Sequence, residues 1–174
     1  MQIVIGTVII LLVAALLFVI LVGIFYCVDF FLELPYVGAK RESIKNLTKL
    51  AHIKKRETVV DLGSGDGRLL FEAASFGAFA VGYEINPFLI ALSKLKRKLK
   101  GLDEQVKINA QSMWKADLKV ADVIFVYSLA KKTKKFEDFI YTNAQHGTRV
   151  VVNTNPFPNK KPDKTEGKIF LYII

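Results

Sequence analysis

The run VVDLGSGDGR, residues 59–68, sets one carboxylate, Asp61, ahead of three alternating glycines, Gly63, Gly65 and Gly67. The valines before it read as a buried strand, and the apolar spacing after Arg68 reads as a helix. Glycines at such a junction admit positive φ and let a ligand approach the main chain, beside the free N–H groups of a helix N-terminus. Two common ligands are excluded by the letters. A dinucleotide fingerprint needs its third glycine at position 68, which is Arg68, and a phosphate loop needs Gly-Lys-Ser/Thr where Gly67 is followed by Arg68 and Leu69. Asp61 would repel a pyrophosphate and suits a cationic group. A second carboxylate, Glu84, closes the next apolar run, AFAVGYE, where it could accept both hydroxyl protons of a ribose.

These groups need a frame to hold them. Short apolar runs (ETVVDL, AFAVGYE, QVKIN, ADVIFVY, RVVVN, KIFLYII) alternate with amphipathic ones (RESIKNLTKLAHI, RLLFEAASF, FLIALSKLKRKLK, KKFEDFIYTNA). Asn86 is expected to cap the helix that Pro87 opens and Gly101 closes. The pattern predicts an α/β fold: a mostly parallel sheet with helices on both faces and the ligand site beyond the strands' carboxyl ends. The last strand is expected to return antiparallel, after a long loop over residues 156–167.

Ahead of this domain, residues 3–28 contain no charge. The run exceeds the roughly 20 residues that cross a bilayer core, and it has no polar face. No Lys or Arg precedes it and no small-residue cleavage site follows, so an uncleaved membrane anchor is expected rather than a signal peptide. Tyr26, Phe30 and Phe31 would lie at the interface, and Lys40, Arg41 and Lys45 after the run place the domain on the cytoplasmic side. The expected organisation is an anchor over 1–30, a junction and helix over 31–55, and a ligand-binding domain over 56–174. The lone Cys27 can form no internal disulfide. The net charge of +9 lies after the anchor, clustered at 93–100, 131–135 and 159–164. It suits anionic lipid headgroups or an acidic partner, although solvated helix faces are the plainer reading. No aromatic platform accompanies the charge, so nucleic acid is not expected. His52 and His146 are isolated, so no metal site is expected.

The spacing D-x-G-x-G-x-G at Asp61, Gly63, Gly65 and Gly67, with Glu84 after the second strand, resembles motif I of class I S-adenosylmethionine-dependent methyltransferases. That implies a Rossmann-like fold and S-adenosylmethionine as cofactor. LPYVGAKRESIKNL, AVGYEINPFLIALSKL, MWKADL and PFPNKKP, in this order behind an apolar helix, resemble the membrane-anchored protein-lysine methyltransferases. Their animal members act in mitochondria on the ATP synthase c-subunit and the adenine nucleotide translocase. The resemblance implies cofactor contacts from Asp61, Gly63, Ser64, Gly65, Asp66 and Gly67, from Glu84, Ile85 and Asn86, and from Ser112, Met113 and Trp114. It also implies that Pro35–Val37 folds over the cofactor through Tyr36. Ser112 stands where members commonly carry an acid for the adenine amino group, and Gly38-Ala39 replace Pro-Ser/Thr. The run has no Arg- and Ser-rich presequence, which fits a prokaryotic-type member at a cell membrane.

On the acceptor side, Tyr127 and Ser128 end the expected fourth strand and are the candidates for presenting the substrate. NPFP, residues 155–158, follows the fifth strand, whereas the N-P-P-Y motif of amino-group methyltransferases follows the fourth. Its role is therefore not transferred, and a rigid proline turn is expected. The leading function is methyl transfer to a lysine of a membrane protein. The alternatives are methylation of a lipid or quinone and a non-catalytic scaffold that binds S-adenosylmethionine.

Overall fold

The computed structural model describes residues 2–31 and 41–174, with side chains from Val4 to Ile24 and from Glu42 onward. The chain divides into two compact units, Met1–Val37 and Gly38–Ile174. The described part of the first is the helix α1, Gln2–Phe31, whose 30 residues make a rod about 45 Å long at 1.5 Å per residue. Its segment Val4–Ile24 has a mean hydropathy of 3.3 and could cross a membrane by length and composition. Tyr36 and the Pro35–Val37 segment lie outside the described residues, as do the side chains of Tyr26, Cys27, Phe30 and Phe31.

The second unit starts with α2, Arg41–Ala51. Then β1 (Thr58–Leu62), α3 (Arg68–Ser75), β2 (Phe79–Glu84), α4 (Pro87–Leu99) and β3 (Val106–Ala110) alternate. They are followed by β4 (Val123–Tyr127), α5 (Thr133–Asn143), β5 (Arg149–Asn153), β6 (Lys164–Glu166) and β7 (Ile169–Ile173). The sheet runs β3-β2-β1-β4-β5-β7-β6. Pairing is parallel from β3 to β5, while β7 is antiparallel to both β5 and β6. The last strand thus returns as expected, but the loop over 156–167 contains β6. That strand is three polar residues long, Lys-Thr-Glu, and a sequence that short carries no alternation to read.

The sheet buries both faces, which is why its strands read as continuous apolar runs. One face, with Val59, Ala80, Val106, Phe125 and Val151, packs against Leu47, Leu50 and Ala51 of α2 and Leu70, Phe71 and Ala74 of α3. Val60, Ile124, Val150 and Tyr172 share one register row and point to the other face. There α5 joins through Tyr141 against Phe157, and Phe157 stacks on Tyr172 with centroids 4.6 Å apart. Both sheet edges carry charge: β3 exposes Lys107, and the three-residue β6 carries a Lys164–Glu166 ion pair of 2.9 Å. Strand order reverses between β1 and β4, so the carboxyl ends of these two strands flank the crevice where open α/β sheets bind ligands.

Candidate active site

The turn after β1 is built by its glycines and by one glycine across the sheet. Gly63, Gly65 and Gly67 take φ of 93°, 54° and 82°, the left-handed region that other residues enter only at a cost. The N–H groups of Gly63 and Ser64 both donate to the Tyr83 carbonyl at 3.0 Å, and Gly67 N–H donates to the Ser64 carbonyl at 2.9 Å. A Cβ at Gly67 would meet the Phe71 ring at 2.7 Å. Gly82 of β2, which sequence reasoning missed, is equally constrained: a Cβ there would lie 2.5 Å from Ser64 Oγ and 2.6 Å from Leu70 Cδ1. Gly63 differs, being exposed, with nothing within 4 Å of where a Cβ would stand. Its main chain therefore faces open space at the crevice.

Two carboxylates flank this opening. Asp61 is buried, and no described residue pairs with it. Desolvation, with the charge of Glu84 second, pushes its pKa up to about 7. A buried carboxylate without a cation is a costly arrangement, and a positively charged ligand group relieves it. Glu84 is half-buried and already well supplied. Its Oε2 accepts Gly65 N–H at 2.8 Å, and its Oε1 accepts the N–H groups of Ile85 and Asn86 at 2.8 and 2.9 Å. Three of the roughly four lone-pair positions of a carboxylate are thus occupied.

The remaining expected residues divide by where their side chains go. Ile85 and Ser112 are half-buried and Met113 is buried, at the ends of β2 and β3 beside the opening. Ser64 turns inward against Gly82, with its buried Oγ lacking a partner. Asp66 is held by its neighbours through one oxygen: Oδ2 accepts from Lys96 Nζ at 2.6 Å and Arg68 Nε at 2.8 Å. Burial alone would raise its pKa, but these two hydrogen bonds outweigh burial and hold it below the usual range. The pair ties the glycine turn to α4. Asn86 acts as expected of a cap, its Oδ1 accepting Phe88 N–H at 3.0 Å and Leu89 N–H at 3.4 Å. Trp114 packs on α5, 4.8 Å from the Phe136 centroid and 5.6 Å from Phe139, with Lys135 Nζ 4.2 Å above the ring. Those contacts are those of an aromatic at the edge of the core.

Across the crevice, Tyr127 is half-buried and Ser128 is fully buried. Among the described residues no group of three His, Cys, Asp or Glu side chains could hold a metal.

Residues 61–164 match the ANTKMT methyltransferase domain. The chain belongs to that methyltransferase family. It is 33% identical over 135 residues to the lysine N-methyltransferase of the ATP synthase c-subunit from Xenopus laevis, covering 78% of this chain and 59% of the relative. It is 32% identical over 138 residues to the adenine nucleotide translocase lysine N-methyltransferase of Mus musculus, covering 79% and 60%. The chain therefore spans about three-fifths of the length of these relatives. An RNA methyltransferase from Salinibacter ruber, solved with S-adenosyl-L-homocysteine, superposes with a TM-score of 0.77 at 27% identity, covering 79% of this chain and 94% of that one. The sheet is that of class I methyltransferases. The residues fit the family's cofactor class: an unpaired buried carboxylate suits an ammonium or sulfonium, and the bare Gly63 turn leaves room beside it.

Proposed function

We propose that this chain is an S-adenosylmethionine-dependent N-methyltransferase that modifies a lysine of a membrane protein at the cytoplasmic face. The observation that carries the cofactor reading is Asp61: a buried, unpartnered acid beside an open glycine turn at the strand-order switch. Lysine as acceptor is supported by the two relatives, whose names specify lysine N-methyltransferases of an ATP synthase component and of the adenine nucleotide translocase. α1 supports a membrane location, and Lys40, Arg41 and Lys45 after it support the cytoplasmic orientation.

When bound, S-adenosylmethionine supplies an electrophilic methyl group. Asp61 would hold its ammonium, and Glu84 its ribose hydroxyls, through the free lone pair and by releasing Gly65 N–H. Ile85 and Met113 would flank the adenine, and the Ser112 hydroxyl would face its amino group. Most of the remaining work is alignment, since proximity and orientation carry much of a displacement at so reactive a carbon.

The reading is tested by incubating membranes from a strain lacking the chain with the purified protein and tritiated S-adenosylmethionine. A labelled membrane protein containing methyl-lysine is the expected result. Label in the lipid fraction would replace the lysine reading by the lipid or quinone one. No label with intact cofactor binding would leave a scaffold.

A further inference from the structure

The chain leaves β5 by a constrained path. Thr154 holds φ at +88°, a conformation that β-branched residues almost never take and that clusters at functional sites. The segment behind it is pinned at separate points. Thr154 N–H donates to the Lys168 carbonyl at 2.8 Å, and Phe157 N–H to the Tyr172 hydroxyl at 2.8 Å. Asn159 N–H donates to the buried Glu137 carboxylate at 3.0 Å. The turn carries Asn155 across to the end of the neighbouring strand, β4, where its Nδ2 donates to the Ser128 carbonyl at 2.7 Å.

That bond decides which end of the amide is which, since only the nitrogen can donate to a carbonyl. Oδ1 is left as an acceptor, and no described residue donates to it. In the same corner the Ser128 hydroxyl is fully buried and has no partner, a state that native interiors seldom leave unfilled. Leu62 pairs with Val126, so Tyr127 and Ser128 lie at the carboxyl end of β4, across the strand-order switch from the glycine turn.

We propose that Asn155 Oδ1 and Ser128 Oγ form the acceptor subsite, and that it takes a primary amine. The proposal rests on the methyl-transfer reading above and adds the residues that meet the acceptor. An uncharged primary amine has two N–H groups and one lone pair. Two neutral oxygens engage the two N–H groups and leave the lone pair free. Neither oxygen carries a charge to balance an ammonium, and burial at Ser128 disfavours the cation, so desolvation favours the deprotonated form. NPFP thus reaches the acceptor side from β5 by crossing to β4, despite following the other strand in sequence.

The test uses the full chain in detergent and two ligands in calorimetry: S-adenosylhomocysteine, and sinefungin, in which CH–NH2 replaces the methylated sulfur. The wild type should prefer the amine-bearing ligand about tenfold, as one lost hydrogen bond to a buried partner predicts. Asn155→Ala should abolish the preference while keeping S-adenosylhomocysteine affinity within about twofold. Ser128→Ala, which removes only an unpartnered hydroxyl, should reduce the preference with the fold intact. An unchanged preference in both variants overturns the subsite, as does equal loss of both ligands in Asn155→Ala, which would make Asn155 a support for the loop. If the wild type labels lipid instead of protein, the lysine reading fails while this ligand comparison still decides the subsite.

Discussion

Asp61 is caught between two requirements. An unligated, buried acid prefers its proton, and a cationic ligand needs that proton gone. Its pKa of about 7 makes both consequences measurable near neutrality. Cofactor affinity should fall as pH drops from 7.5 to 5.5, approaching tenfold per unit below the pKa, because protonation competes with the ligand. The same shift acts on folding with the opposite preference. The folded-state pKa lies above the ordinary 3.8, so this carboxyl favours the folded state at acid pH and loses that contribution as pH rises through about 7. Asp61→Asn should therefore raise the thermal midpoint of the unliganded chain at pH 8, with a shrinking effect towards pH 5. The same substitution should flatten the pH dependence of cofactor binding and weaken binding at least tenfold. Calorimetry and thermal melts across this range check both. The acid and glycines were legible because their spacing is the chemistry. The side-chain directions of Ser64, Asp66 and Trp114 were not, because the partners that turn them, Gly82, Lys96 and Phe136, lie far away in sequence.

At the scale of elements, two glycines in one neighbourhood should respond differently to the same methyl group. Gly82→Ala forces a Cβ to within 2.5 Å of Ser64 Oγ, an overpacking of about 1–3 kcal/mol that should lower the melting midpoint by roughly 5 °C. Gly63→Ala meets no atom within 4 Å; its stability cost is the left-handed backbone alone, about 1–2 kcal/mol. It should nonetheless weaken cofactor binding tenfold or more, because its methyl occupies the opening. Comparing melts with S-adenosylhomocysteine titrations separates the two; equal loss of affinity in both would remove the special status of Gly63. Strand and helix order came through in the sequence because each buried strand is a continuous apolar run and each helix shows a 3.6-residue period. The path of residues 153–159 did not. It is set by Tyr172, Glu137 and Lys168, and by a threonine conformation that composition cannot announce.

At the scale of the molecule, the unit Gly38–Ile174 has its own core. A chain lacking residues 1–31 should accordingly keep its cofactor affinity within about twofold and its cooperative melt. It should lose co-sedimentation with vesicles and label membrane acceptors more slowly at equal concentration, as loss of a high effective concentration predicts. A truncated chain as fast as the full one on membranes would show that α1 serves another purpose. The charged edges of the sheet matter wherever copies of the chain are crowded. Domains tethered to a surface diffuse in two dimensions and collide far more often than at equal numbers in solution. An open strand edge would then recruit neighbours through its unpaired amides. One edge here is a three-residue strand capped by an ion pair, and the other displays Lys107. Crowded side by side, domains of this kind meet through charged edges rather than bare strand amides, so a high local concentration does not turn the sheet into a seed for aggregation.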